Sequence, residues 1–589
     1  MKQKQALDRL LTRGGRRNDG VALVTTLIFT SVCVLALVLV SARHLQQRTL
    51  VDRYQVWQTA FDIAESGRLA SQAALENSQD GILGISSEWV PQYDEQNQIV
   101  LPPFDSEFVD PVEITVQEGT PPITAQMISY VVDWASDNWD NNGDGVVDDV
   151  LENGIFSIHS ASLFANHTRR VDAVYRSYDV NVWNNAIFGG TGQAGGLING
   201  NVSIHGSVHL LGDNLAPGSP AVIAMDLSGT SLVHNNYTGM PANLRSMVPA
   251  LPTTSVGGET VETLHAVFRV KRGLVGLSGN SEIGEPNAPG NLTKELMDGV
   301  FVQEGWTGNA VIPDGGRGIP KSVFSDNGHG YQYDLGDRVT MPFLDDYWRE
   351  PDGSLVWNST TGDWYTHEDY FSQVLLAEAA NATDGYYTGD LTIDAGDRDA
   401  FYWNASKNQE LTGAAALAAV PDPDDDYIRF DPATNLMEIN GQLRVTGNLV
   451  LDGKANDKTI YYSGKGAILV DGNVTIDCDL YTCNNKNPND TNLSYPVNCL
   501  GIMARNDMLV GSKSQLDIMG AFYAQGTIKT MKQTNVVGTF VSNYFDMGSQ
   551  VPNIFQVPEL ARNLPYGMIG NYPLLVLKMM AWTERGIEP

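Results

Sequence analysis

Apolar and polar positions divide this chain into three textures. Residues Val21 to Val40 read VALVTTLIFTSVCVLALVLV, without a charge. Roughly 20 such residues is the length of a helix that crosses a bilayer core. The pattern then changes without a break. From Ser41 to Ser78 there is no proline, and no glycine except Gly67. Val56, Ala60, Ile63, Gly67, Ala70 and Ala74 recur at alternating steps of four and three, one stripe of an amphipathic helix. Small residues dominate the stripe, so whatever packs there can approach the backbone closely. Asp52, Arg53, Asp62, Glu65 and Arg68 lie largely off it. The spacing predicts one continuous helix over 21–78, half in lipid and half in water.

Strand-like alternation follows. Ile155 to Leu163 and Arg170 to Val182 alternate, with Asn166 and His167 at the turn between them. This predicts a meander that packs on the small-residue stripe. From about residue 195 short strands are punctuated by Asn-Gly, Asp-Gly and Gly-Asn, as in LINGNVSIHGSVHLLGD, LMEINGQLRVTGNLVLDG and GAILVDGNVTIDCDL. Glycines at six-residue spacing between alternating strands are the pattern of a parallel β-solenoid. Its inward residues would be Val202, Ile204, Val208 and Leu210, then Leu443, Val445, Leu449 and Leu451. An antiparallel, hairpin-rich fold is the alternative, because Asn-Gly is also the best hairpin turn. Residues 241–430 are Gly-rich and aromatic-rich with little periodicity, and PDPDDDY at 421–427 marks a boundary. The textures divide the chain into a basic leader (1–20), a helix (21–78), a β head (79–192), a solenoid-like domain (193–240 and 431–556), an insertion (241–430) and a tail (557–589) that packs over the last turn of the solenoid.

The leader carries Lys2, Lys4, Arg9, Arg13, Arg16 and Arg17 against Asp8 and Asp19. Positive charge keeps this end in the cytoplasm and sends the bulk of the chain across the membrane. The apolar run is longer than a signal-peptide core, and no A-x-A site stands clearly before a mature domain. The segments RRNDGVALVTTLIF and AFDIAESGRLASQAAL resemble a class III-signal type IV pilin, and in particular the N-terminal region of PilX-type minor pilins. The resemblance implies cleavage by a prepilin peptidase between Gly20 and Val21, with methylation of the new amino terminus. Two positions depart from the major-pilin pattern: Val21 replaces the first Phe, and Thr25 stands where a Glu is usual. Loss of that carboxylate suits a tip or initiation role better than incorporation along a shaft.

Composition narrows the partners. The formal net charge is −32 over 589 residues. Phosphate binding needs a basic face, so nucleic acid is not an expected partner. Acidity supports solubility and can hold calcium. The sharpest local motif is DWASDNWDNNGDGVVDDVLENG, in which Asp140, Asn142, Asp144 and Asp148 match calcium-loop positions, the Val146 carbonyl adds an oxygen, and either Glu152 or Asp149 stands in for the missing last-position Glu. An Asx-rich turn is the simpler reading. Cys33 lies in the apolar helix, whereas Cys478, Cys483 and Cys499 cluster in one loop; a disulfide among these three is expected outside the cytoplasm, its pairing left open, with a zinc site as the weaker reading. Trp348, Trp357 and Trp364 in the insertion would either stack on a glycan or pin a long loop.

Enzyme signatures are weak. There is no G-x-S-x-G, H-E-x-x-H or Walker loop, and the nine histidines show no ligand spacing. Asp390, Asp394, Asp397 and Asp399 are carboxylates of the kind a glycosidase pairs, without the spatial evidence that chemistry needs. The expected fold class is therefore α+β: a long N-terminal pilin-type helix, a β-meander head, and a β-rich parallel solenoid-like domain with a long irregular insertion. The expected role is structural, not enzymatic: a minor pilin-like subunit held in the inner membrane with its C-terminal region in the periplasm, then moved to a pilus or the cell surface. Its expected partners are other pilins through the helix, the prepilin peptidase, and a glycan or surface target. A type II secretion minor pseudopilin is the near alternative. A membrane-tethered carbohydrate-active enzyme on a β-solenoid is the alternative of another class.

Overall fold

The computed structural model describes residues 2–76, 80–94, 99–119, 121–134, 137, 154–193, 198–200, 202–215, 223–308, 313–314, 319–320, 322–328, 332–350, 353–376, 385–396, 399–453, 459–547, 552–572 and 574–587. Two compact units result: Met1–Tyr178 with Leu577–Pro589, and Asp179–Val576.

The first unit begins with helix α1, Lys2–Glu76. The leader is thus helical as well, continuous with the apolar run; its Lys, Gln, Leu and Arg residues are good helix formers. Five strands complete the unit in the order Val112–Gln117, Ile123–Asp133, Ile155–Phe164, His167–Asp179, Leu575–Ile587. The first four are antiparallel neighbours. Ala165 and Asn166, with φ of 47° and 62°, make the tight turn between the third and fourth. The last strand comes from the tail, whose alternating LVLKMMAWTE adds a sheet edge. Residues 557–572, by contrast, stay with the second unit, where Leu560, Leu564, Met568 and Ile569 are buried.

The second unit is a coil built mainly on three ladders of parallel strands; an antiparallel meander of Gln409–Thr412, Phe401–Asn404 and Tyr427–Asp431 joins it at Leu436–Val445. On the first ladder, strands containing Tyr386, Val445, Val470, Ala504, Ala524, Ser542, Gly189, Leu210, Val270 and Val302 follow one another, every pairing parallel. A second ladder runs Leu391–Ala395, Leu449–Gly453, Val474–Asp477, Met508–Val510 and on to Ile528. A third runs through Leu480, Ile518, Val536, Ile554, Ile204, Val233 and Ile283. Apolar side chains alternate inward on each ladder. Val202, Ile204, Val208, Leu210, Leu443, Val445, Leu449 and Leu451 are all at most 2% exposed.

Spatial order is not chain order. The chain enters the coil in the middle, at Ile187–Gln193, and runs out to Gly299–Val302. It re-enters at the opposite end with Tyr386 and winds back until Thr534–Asp546 pairs with Ile187–Gln193. Residues 333–350 and 353–376 form the returning strap. The Tyr333 hydroxyl meets His209 Nε2 at 2.6 Å, Arg269 pairs with Asp334 at 2.8 Å, Tyr523 donates to the Pro342 carbonyl at 2.8 Å, and Arg444 pairs with Glu368 at 2.8 Å. Within the stretch 241–430, Val267–Val270, Gly299–Val302 and Leu391–Ala395 therefore belong to these ladders, Leu274–Leu277 pairs in parallel with Ile223–Gly229 and Trp306–Thr307 in a separate sheet, and the irregular part is shorter than its composition suggests. Aromatic residues there disguise strands whose inward side chains include Phe268.

One corner of the coil explains the Gly-Asn texture. Asp390 Oδ1 accepts from the Asn448 N–H at 2.7 Å, Asn448 Oδ1 from Asn473 at 2.8 Å, Asn473 Oδ1 from Asp507 at 3.2 Å, and Asp507 Oδ1 from Thr527 at 2.7 Å. Each side chain thus satisfies the corner amide of the next turn, which no strand partner reaches. The glycine before each of three of these residues leaves room for the side chain below: a Cβ at Gly447, Gly472 or Gly526 would overlap Asp390 Oδ1, Asn448 Oδ1 or Asp507 Oδ1. A Gly472→Ala substitution should cost the unit about 1–3 kcal/mol through this overlap with side chain and backbone. Urea unfolding checks it; an unchanged midpoint would show that the corner is loose.

Candidate assembly helix and polar clusters

Helix α1 has two regimes. From Val24 to Gln55 every residue except Cys33 is exposed. Among the described residues this is the one helix long and apolar enough to cross a membrane. From Ala60 onward the buried positions are Ala60, Ile63, Ala64, Gly67, Arg68, Ser71 and Leu75. The predicted stripe shares Ala60, Ile63 and Gly67 with this set, but Ala70 is exposed. The helix keeps its 3.6-residue period, so the buried line drifts onto Ala64, Arg68, Ser71 and Leu75.

Small residues set the distance between helix and sheet. Ser162 donates to the Ala60 carbonyl at 2.5 Å, and Ser71 donates to Ser129 Oγ at 2.7 Å. A Cβ at Gly67 would overlap Ser160 Oγ and Met127 Sδ. Arg68, read from the sequence as lying off the stripe, is 4% exposed; it pairs with Glu65 at 2.5 Å and donates to the Tyr175 hydroxyl. Its burial is sustainable because each partner satisfies part of the guanidinium fork. Gly20 and Val21 lie within helix α1.

The same sheet carries a polar cluster beside a cavity of about 180 Å³. Asp172 Oδ1 lies 2.6 Å from His159 Nδ1, and His159 Nε2 lies 2.9 Å from Ser157 Oγ. Trp134 Nε1 donates to that same oxygen at 3.2 Å, and Arg170 Nε donates to Asp172 Oδ1 at 2.7 Å. Burial pushes His159 down, against the pull of Asp172. Burial alone would raise the Asp172 carboxyl, but His159 and Arg170 hold it below the usual range. The connectivity is that of a nucleophile, base and orienting acid. Here the serine is 5% exposed and its oxygen is engaged by both Trp134 and His159, so the cluster acts as a cross-strand clamp.

The other sequence candidates separate. Asp140, Asn142, Asp144, Val146, Asp148 and Glu152 lie outside the described residues, as does Asp397. Cys478, Cys483 and Cys499 are buried and unbonded to one another. Burial pushes the Cys483 thiol up to about 11 and the Cys499 thiol to about 12. Each serves as a small, buried apolar residue of the second unit. Trp348 is buried and stacked on Tyr370, pinning the strap, whereas Trp357 and Trp364 are half-exposed and pack edge to face at 5.1 Å. Asp390 is consumed by the corner ladder, and Asp394 pairs in register with Asp452. The nine histidines have no spacing signal, yet the coil brings His234 to Glu285 and Glu295, with their ligand atoms within 4.8 Å of one another.

No family model and no curated protein matches the chain. Among solved structures it is similar to the crystal structure of the competence-associated pilin ComZ from Thermus thermophilus, with 17% identity over 90% of this chain and 98% of that one, at a TM-score of 0.41. At that level the likeness assigns nothing to this chain.

The helix–sheet contact is testable directly. Gly67→Val should destabilise the first unit by about 1–3 kcal/mol, whereas Leu69→Val, at an exposed position of the same helix, should cost well under 1 kcal/mol. Thermal unfolding of both variants checks it, and equal losses would contradict close packing at Gly67.

Proposed function

We propose that this chain is a minor pilin-like subunit of a type IV pilus-type filament, stored in the inner membrane and assembled through helix α1. The observation that carries the reading is the two-regime helix. Its C-terminal end is clamped by the sheet through Gly67 and the serines, while from Val24 to Gln55 its apolar side chains are exposed among the described residues. Lipid before assembly, and neighbouring helices afterwards, would both satisfy that surface. The Gly20–Val21 junction between basic leader and apolar run is the proposed peptidase site, and the PilX-type resemblance of RRNDGVALVTTLIF supports it. Thr25 in place of an acidic residue favours a tip or initiation position, contributing to assembly or adhesion. A membrane-tethered enzyme would need the anchor but not the processing.

Replacing Gly20 with Leu should abolish processing and leave the full-length chain in the membrane, absent from sheared filaments. Immunoblots of the two fractions read this out; normal surface display of the variant would sink the proposal.

Calcium binding by Asp140, Asn142, Asp144, Asp148, Glu152 and the Val146 carbonyl is part of the same reading, because such a loop would stiffen the head in a calcium-rich exterior. A calcium titration should find a site in the wild type that is lost in Asp144→Ala. Equal uptake by both chains would leave the motif an Asx turn.

A further inference from the structure

We infer that His234, Glu285 and Glu295 form a site for a divalent transition-metal cation of the zinc or manganese type, with water completing the coordination. This rests on the second unit alone and does not depend on the filament reading.

Three separate pieces of chain build the cluster. His234 ends the strand Leu232–His234, in register with His205, and the two rings stack at 4.5 Å. Glu285 follows the next strand of the same ladder, where Val233 pairs with Ile283. The loop beyond folds back, so that the Glu285 N–H donates to the Glu295 carbonyl at 3.1 Å and the Glu295 N–H donates to Asn287 Oδ1 at 2.9 Å. One ligand atom from each of the three side chains then lies within 4.8 Å of the others. His234 Nδ1 and Glu285 Oε2 are 3.6 Å apart. The edge of a tetrahedron with metal–ligand arms of about 2.1 Å is roughly 3.4 Å, so the His234–Glu285 edge already fits.

Two further observations point to a cation. First, His234 is 6% exposed, and its Nδ1 lies 3.6 Å from Glu285 Oε2, beyond hydrogen-bond reach. A metal between the two would supply the polar interaction that this gap leaves unmade. Second, no Lys or Arg among the described residues pairs with either glutamate. Lys294, adjacent to Glu295, is committed to Asp298 at 2.8 Å and Asp326 at 2.6 Å. Two neighbouring carboxylates, one of them 9% exposed, thus lack a positive partner inside the fold.

The surroundings orient the donors. Asn236 Nδ2 donates to Glu295 Oε2 at 2.7 Å, and Thr293 Oγ1 and Asn291 Nδ2 donate to Oε1 at 3.0 and 3.3 Å. Such outer hydrogen bonds fix a ligating carboxylate. One imidazole with two carboxylates suits zinc or manganese better than calcium, which prefers an all-oxygen set. The Glu285 side chain is 39% exposed, which leaves an open side for water. A bound ion would tie the 284–298 loop to two successive turns of the coil.

The test uses the full-length chain in detergent, stripped with EDTA and titrated calorimetrically with Zn²⁺ and, separately, Mn²⁺. The wild type should take up one ion per chain, and Glu285→Gln and His234→Gln should bind at least tenfold more weakly. Glu285→Gln alters a half-exposed side chain, so it decides the matter if His234→Gln fails to fold. No uptake of either ion by the wild type, or uptake by Glu285→Gln with unchanged affinity, would overturn the site.

Discussion

The larger unit depends on the parallel junction of Thr534–Asp546 with Ile187–Gln193, beside which Asn553–Phe555 pairs with Ser203–His205. The first strand of the coil is not at an end of it. On one side it supports the turns that follow it in sequence, and on the other it receives strands made some 350 residues later. Closing so long a loop costs only slightly more than closing a short one, because the entropy grows with the logarithm of length. The consequence lies in the rate: half of the stack is non-local, and topologies of that kind fold slowly. The strap solves the connection. It must cross back along the coil, and it is fixed at intervals by Tyr333, Asp334, Pro342 and Glu368.

A different constraint governs the first unit. Helix α1 is close-packed at one end and exposed from Val24 to Gln55, within a single element. Gly67, Ala60, Ala64 and Ser71 let the sheet come near enough for serine hydroxyls to reach the helix. From Gln55 back to Val24 that chemistry stops, and Val, Leu, Ile and Phe side chains face outward. Such a surface is unfavourable in water by roughly 25 cal/mol for each Å² of apolar area. It calls for lipid or for like helices, which is the physical content of the assembly reading.

Much of the fold was legible in the sequence, and for local reasons. A charge-free run of twenty residues and inward positions such as Ile204 and Leu449 are written in short windows. Three things were not. The buried line of the helix shifts because 3.6 is not the mean of three and four, which hid Arg68 and Leu75. Ladder order escaped because any alternating strand can accept any other in parallel, and the chosen neighbour is set by the whole coil. His234, Glu285 and Glu295 share no sequence spacing; only stacked turns place them together. The Gly-Asn corners held a stronger signal than turn propensity, since a repeated Gly followed by Asn or Asp is also the mark of a side chain bonding to the next turn.

The central claim is that this chain is processed at Gly20 and assembled through the helix that then begins at Val21. Intact mass and amino-terminal sequencing of the native protein, recovered separately from sheared surface filaments and from membranes, test it most directly. The account predicts a chain beginning with N-methylated Val21 in the filament fraction. A chain beginning at Met1 and found only in membranes would contradict it.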